Sequence, residues 1–368
     1  MLEVKNVKDT SLVENPVISQ MLKYNHEQVV FCNDNETGLR AIIAIHNTVL
    51  GPSLGGTRMW KYATEMDALH DVLRLSRGMT YKAAAAGLNL GGGKAVVIGD
   101  STKDKTEALL RRLGKFVDSL GGKYITAEDV GMTSRDMEYI HNETDHVTGL
   151  PESMGGSGDP SPVTAYGVYM GMKASAFELW GSDNLKGKKV SVQGIGHVGE
   201  SLVEYLAKDD VKVYISDINE ERLKYVANKY GAEIVAGDKL YDLNVDIYAP
   251  CALGATVNND TVERLKCSII AGSANNQLAD EKIHGELVMK KGILYAPDFV
   301  INAGGLINVY SELTGYNRER AMSQAENIYN TTREIFKISK NENVPTYIAA
   351  NRIAEKRIAD IGKIKLSF

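Results

Sequence analysis

Gly194-Ile195-Gly196-His197-Val198-Gly199 follows the apolar run Val190-Ser191-Val192 and precedes a helical stretch at 200–207. Three glycines at this spacing, between a strand and a helix, suit a dinucleotide. The first permits a tight turn, the second lets backbone approach a pyrophosphate, and the third lets the helix pack on the strand. The helix start at His197 and Val198 offers N–H groups and a partial positive charge to phosphates. Gly194, Gly196, His197, Val198 and Gly199 are therefore assigned to a cofactor. His197 reads as a surface residue at the helix start, not a catalyst. Asp217 ends the next strand, 211–216. A carboxylate there accepts from the adenosine ribose hydroxyls and repels a 2′-phosphate, and Glu220 and Glu221 add to the repulsion. Arg222 lies a turn into the following helix and could in principle bind a 2′-phosphate, but the acids around it argue otherwise. The expected cofactor is NAD, not NADP. A tight turn without a ligand is the alternative.

A second group lies in Met79-Thr80-Tyr81-Lys82-Ala83-Ala84-Ala85-Ala86-Gly87-Leu88-Asn89-Leu90-Gly91-Gly92-Gly93-Lys94. This is no P-loop. Leu88 stands where the first glycine would fall, and Ala95 replaces the hydroxyl residue that holds magnesium. Two lysines in one cleft disfavour each other's protonation, and burial acts in the same direction. One can stay cationic and hold a carboxylate while the other nears neutrality and serves as a base. The same pattern fits two surface lysines with stems along apolar surface. Asp129, after the short strand 124–127, could act as an acid/base or cap the next helix.

The elements that must position these groups fall into two sets. Residues 148–162 hold four Gly, three Pro and three Ser; such a stretch resists regular structure and reads as a domain connection, a long surface loop being the alternative. Before it, a strand is expected at 39–46. A helix capped by Thr64 with Asp67 three residues on should bury Met66, Leu69 and Leu73. A second helix is expected at 105–120. After it come a helix at 163–179, strands at 190–192, 211–216, 245–249 and 268–271, and helices at 200–207 and 220–230. This alternation implies a parallel, doubly wound sheet. A long helix is expected from Ala303, and a final one, 346–361, opens after Pro345. The fold class is α/β with two domains. Residues 1–148 form an α/β domain, to which the C-terminal helix within 340–368 could return. Residues 149–339 form a Rossmann-type NAD-binding domain.

Composition narrows the function. The 368 residues suit two domains, and a net charge of −5 gives no pull toward nucleic acid or an anionic membrane. Three widely spaced cysteines, Cys32, Cys251 and Cys267, form no disulfide framework or metal pair. No signal peptide or apolar run long enough to span a bilayer is seen. A soluble, cytoplasmic protein is expected. The histidines lack metal-ligand spacing, so no required metal is expected.

Several longer segments carry a resemblance. The two lysine segments, Tyr124-Ile125-Thr126-Ala127-Glu128-Asp129-Val130-Gly131, Pro250-Cys251-Ala252-Leu253-Gly254-Ala255 and Ala296-Pro297-Asp298-Phe299-Val300-Ile301-Asn302-Ala303-Gly304-Gly305 resemble the Glu/Leu/Phe/Val dehydrogenase family across nearly the whole chain. The resemblance implies reversible oxidative deamination of an L-amino acid, in a cleft between the domains. By motif, Lys82 matches the lysine that holds the α-carboxylate. Lys94 matches the catalytic lysine that activates water, and Asp129 the aspartate that exchanges protons with the amine. Asn302 and Gly304 would border the reacting carbon, with Asn302 also contacting substrate. Ser161 and Thr164 sit where the family approaches the nicotinamide, and Ala252 and Asn275 on loops near the rest of the cofactor. A large homo-oligomer, an octamer, is also implied, with residues 1–148 and 340–368 as the substrate-binding and oligomerisation domain.

The substrate side chain is read from fewer residues. Members that act on glutamate carry a lysine in a Gly-Pro-x-Lys-Gly-Gly segment; here it is Gly51-Pro52-Ser53-Leu54-Gly55-Gly56. Leu54 cannot pair with a distal carboxylate, and stranding that charge in an apolar pocket is costly. Ala127, Leu306 and Val309 match other pocket positions and are apolar, which also fits ordinary core residues. A branched-chain amino acid is expected. The alternatives are phenylalanine or valine as the preferred substrate and, in a different class, a catalytically silent NAD-binding scaffold.

Overall fold

A computed structural model describes residues 16–365. The chain divides into two compact units. One takes the described residues through Thr48, Pro52–Thr80 and Gly92–His146; the other takes Val49–Gly51, Tyr81–Gly91 and the residues from Val147 onward.

The first unit is built on a six-stranded sheet of β1 (Gln28–Asp34), β2 (Leu39–Asn47), β3 (Ser53–Leu54), β4 (Thr57–Trp60), β5 (Gly91–Ile98) and β6 (Tyr124–Ile125), in the order β1-β2-β5-β3-β6 with β4 also paired to β5. β1 and β2 form a hairpin whose turn is closed by Asp34 Oδ2, which accepts from Thr37 N at 3.0 Å and Thr37 Oγ1 at 2.7 Å. β5 runs antiparallel to β2, with Ala44 opposite Lys94, and parallel to β4, with Thr57 opposite Ala95. Lys94 is thereby fixed in the sheet interior. The helix Glu65–Ala85 starts with the expected cap: Thr64 N donates to Asp67 Oδ2 at 3.0 Å and Asp67 N to Thr64 Oγ1 at 3.1 Å. Leu69, Val72 and Leu73 bury against Ile42, Ala44 and Val96; truncating such a leucine costs roughly 2–5 kcal/mol. Met66, expected on that face, is instead exposed; in the first turn it is Ala68 that enters the cluster.

The second unit has the expected parallel sheet: β7 (Lys189–Gln193), β8 (Lys212–Ser216), β9 (Glu233–Ile234), β10 (Ile247–Pro250), β11 (Ile269–Ile270) and β12 (Leu294–Tyr295), in the order β12-β11-β10-β7-β8-β9. The chain order reverses between β7 and β10, where such sheets open a crevice at the strand ends. Helices His197–Lys208 and Glu220–Tyr230 follow β7 and β8.

One expectation differs here. The long helix from Ala303 is broken into Gly304–Tyr310, a 3-10 turn Ser311–Thr314, Arg318–Glu326 and Ile328–Glu342. Gly315 adopts φ 82°, and Asn317 caps a new start by accepting from Arg320 N at 2.8 Å. The helix Thr346–Lys365 groups with Tyr81 and Ala84, at the end of the helix Glu65–Ala85: Ala354, Ile358 and Ile361 lie with Leu50, Tyr81 and Ala84. No described helix is long and apolar enough to cross a membrane.

Candidate active site

Within the first unit, three short segments lie side by side. Thr57 N donates to Ala127 O at 2.8 Å and Met59 N to Val130 O at 2.9 Å, so residues 127–130 run along β4 while β5 flanks β4 on its other side. The result joins Lys94, Arg58 and Asp129. Lys94 Nζ lies 2.9 Å from Asp129 Oδ2, and Arg58 Nε donates to the same oxygen at 2.9 Å. Arg58 Nη1 also meets Asp71 Oδ2 at 3.0 Å, which accepts from Tyr62 OH at 2.7 Å.

The electrostatics follow from two cations sharing one carboxylate. Burial pushes the Lys94 ammonium below the ordinary lysine range; Asp129 opposes that shift and Arg58 adds to it. Burial alone would raise the Asp129 carboxyl, but Lys94 and Arg58 together hold it below the usual range. A lysine driven toward neutrality beside an ionised carboxylate can take up and return protons.

Of the expected pocket residues, Leu54, Gly55 and Ala127 lie in this unit. Leu54 and Ala127 are buried, and Leu54 pairs with Ile125 between β3 and β6. Gly55 accepts from Tyr124 OH at 2.6 Å. A Cβ at Gly55 would lie 1.8 Å from Gly93 O, so only glycine lets these backbones approach next to Lys94.

In the second unit, the glycine turn lies at the order reversal. Gly194 has φ +92°, its N–H donates to Ser216 O at 2.7 Å, and a Cβ there would meet Ala252 N at 2.7 Å. Gly194 and Ala252 are thus brought together, at the ends of β7 and β10. The helix His197–Lys208 has Gly196 at its N-cap and no side-chain cap, which leaves first-turn N–H groups for an anion. His197 is exposed on the surface, 3.6 Å from Asp159. Asp217 Oδ2 accepts from Ile195 N at 2.8 Å, which sets its carboxylate against the turn. These features fit a dinucleotide.

Lys82, Asn275 and Asn302 meet in the same unit. Asn275 Oδ1 accepts from Lys82 Nζ at 3.2 Å and from Asn302 Nδ2 at 2.8 Å. Asn302 Oδ1 is buried without a hydrogen-bond partner. Ser161 and Thr164 open the helix Ser161–Trp180, and a Cβ at Gly305 would sit 2.9 Å from Thr164 Oγ1. Leu306 is buried and Val309 half-buried in the helix Gly304–Tyr310. Lys82 and Lys94 fall in different units.

Sequence reasoning missed Arg58 and Asp71, which brace Asp129, and gave Asp298 no role. Asp298 is buried and accepts from Gln277 N at 2.9 Å and Phe299 N at 2.6 Å, tying the Asn275 loop to the segment that carries Asn302. Its burial raises its carboxyl above the ordinary range. An arginine in a strand whose neighbours Thr57 and Met59 are buried was the available signal for the first.

Similarity to known proteins agrees with this geometry. Residues 26–146 match the family Glu/Leu/Phe/Val dehydrogenase, dimerisation domain, and residues 214–364 match Glutamate/Leucine/Phenylalanine/Valine dehydrogenase. The chain is 57% identical to a leucine dehydrogenase from Thermoactinomyces intermedius, over 96% of each chain. It is 46% identical to a phenylalanine dehydrogenase from Bacillus thermotolerans, over 97% of this chain and 94% of that one. The crystal structure of L-tryptophan dehydrogenase from Nostoc punctiforme superposes with a TM-score of 0.85 at 47% identity, over 94% of this chain and 99% of that one. The chain belongs to the Glu/Leu/Phe/Val dehydrogenase family of amino-acid dehydrogenases.

Proposed function

We propose that the protein catalyses the reversible oxidative deamination of branched-chain L-amino acids with NAD, of the leucine dehydrogenase type. L-leucine, NAD⁺ and water give 4-methyl-2-oxopentanoate, ammonium, NADH and a proton. The observation that carries this reading is the buried Lys94 paired with Asp129 at 2.9 Å.

A dinucleotide, when bound, would supply the acceptor for the hydride of the substrate's α-carbon; everything else falls to side chains. Lys82 holds the α-carboxylate, and Asn302, whose buried amide oxygen has no protein partner, contacts the substrate. Lys94, as the neutral amine, takes a proton from water and makes it nucleophilic toward the imine carbon. Asp129 exchanges protons with the leaving amine. Gly194, Gly196, His197, Val198 and Gly199 seat the pyrophosphate, Asp217 the ribose, Ala252 and Asn275 the flanking loops, and Ser161 and Thr164 the nicotinamide side.

Leu54, Ala127, Leu306 and Val309 supply an aliphatic pocket. One methylene in such a pocket discriminates by only about 1–3 kcal/mol, so leucine, isoleucine and valine are all accepted. Residues 1–148 with 340–368 serve substrate binding and oligomerisation, and 149–339 bind NAD. The working form is a cytoplasmic homo-oligomer, an octamer by resemblance.

The phenylalanine and tryptophan dehydrogenases among the relatives support a second reading, an aromatic substrate. Initial rates with L-leucine, L-valine, L-phenylalanine, L-tryptophan and L-glutamate, each with NAD⁺ and NADP⁺, test both. Faster turnover of an aromatic amino acid overturns the branched-chain assignment. NADH binding with no turnover of any amino acid leaves a silent scaffold.

A further inference from the structure

Glu200 lies in the first turn of the helix His197–Lys208 and gathers cations. Its Oε2 accepts from Arg222 Nη2 at 3.0 Å and its Oε1 from Lys229 Nζ at 3.1 Å. Arg222 is held a second time, by donation from Nε to the carbonyl of Ile195 inside the glycine turn. The N–H of Ile195 donates to Asp217 Oδ2 at 2.8 Å. Arg222 and Asp217, both at the junction after β8, thus grip one residue of the turn by its two polar backbone groups.

Arg222 occupies the first turn of the helix Glu220–Tyr230, where its N–H donates to the cap Asn219 Oδ1 at 3.0 Å. An arginine in this neighbourhood is what accommodates a 2′-phosphate in enzymes that take the phosphorylated dinucleotide. Phosphate recognition by arginine uses two parallel N–H groups of the guanidinium. With Nε on Ile195 and Nη2 on Glu200, the Nε/Nη2 edge of Arg222 is already occupied.

We propose that Glu200 determines cofactor specificity by drawing Arg222 onto the glycine turn, which withholds it from the 2′ position of the adenosine ribose. The proposal rests on the reading of the cofactor as NAD. Asp217 excludes a 2′-phosphate by repulsion; Glu200 does so by sequestering the cation that would bind it. The chain therefore carries an arginine suited to the phosphorylated cofactor and an acid that disarms it.

The test is the ratio of kcat/KM for NADP⁺ to that for NAD⁺, measured at saturating amino acid in wild type, E200Q, E200A, R222A and E200Q/R222A. Neighbouring coupled residues shift such ratios by about tenfold, and that gain is expected in E200Q and E200A. R222A alone gives no gain, and adding it to E200Q returns the ratio to the wild-type value. NADPH binding followed by fluorescence quenching should give the same order without turnover, and melting temperatures identify a variant that has failed to fold. An unchanged ratio in folded E200Q or E200A overturns the proposal. So does a gain that persists without Arg222, since removal of negative charge alone then explains it. A wild type that favours NADP⁺ overturns the NAD reading itself, whereas a wild type that favours NAD⁺ with unresponsive Glu200 variants overturns only the role of Glu200.

Discussion

Lys94 and Asp129 form an ion pair of 2.9 Å in which the lysine side chain is 6% exposed and the carboxylate 24%. The deeper partner bears the greater desolvation, so the proton is weakly held on the lysine. Lys94→Ala should reduce kcat by about 100- to 10,000-fold, the contribution of a positioned base, while NADH binding persists. Near-normal turnover in that variant would remove Lys94 from the mechanism.

Arg58 shares Asp129 Oδ2 with Lys94 and acts as a positioning residue. Arg58→Ala removes a cation that disfavours the Lys94 ammonium, so the Lys94 pKa rises. The limb of the pH–kcat profile that reports the neutral lysine should move to higher pH, with a fall in kcat and little change in the amino acid's KM. Arg58→Lys keeps the charge and should leave the limb closer to its original place. A profile that does not move in Arg58→Ala would make Arg58 merely structural.

Lys82 donates to Asn275 Oδ1, which also holds Asn302. Lys82→Ala should chiefly raise KM for the amino acid, because a carboxylate anchor acts on bound substrate before chemistry. Asn275→Ala loosens Lys82 and Asn302 together and should raise the same KM by less. Steady-state kinetics separate the two; an unchanged KM in Lys82→Ala refutes the anchor.

His46 and His26 lie ring to ring at 4.8 Å, with His46 Nδ1 2.8 Å from Thr80 Oγ1 and Nε2 3.0 Å from Tyr24 O. Burial lowers His46 to about 3 and His26 to about 4, with Arg77 pushing in the same direction. The folded-state values lie below the unfolded value of 6.5. Below that pH the unfolded chain takes up protons that the folded chain refuses, so stability is full above 6.5 and falls as the pH drops toward about 3. The melting temperature should decline over that window, and His46→Gln should flatten the decline. Identical slopes in both proteins would dismiss the histidines as its source.

The local signals were legible. The glycine turn, Asp217, Lys94 and Asp129 each stand within a run whose strand or helix character is written in a few adjacent residues, and the parallel sheet follows from the β/α alternation. What escaped depends on distant pairing. Arg58 and Asp129 are 71 residues apart and meet only because residues 127–130 run beside β4. Lys82 and Asn275 are 193 apart. β4 is four residues long, too short to announce its register, and the break at Gly315 hides in an otherwise helical pattern because one residue with positive φ suffices to end a helix.

The placement of Lys94 inside β5, laddered to β2 on one side and β4 on the other, has a consequence for how the gene can vary. Side chains alternate faces along a strand. Base changes that swap one residue for another within Gly91–Ile98 can be tolerated or rejected one by one. The gain or loss of a single codon there would instead turn the ammonium to the opposite face of the sheet, away from Asp129. Whole-codon insertions and deletions are therefore expected to be tolerated in the loops but not across those eight residues.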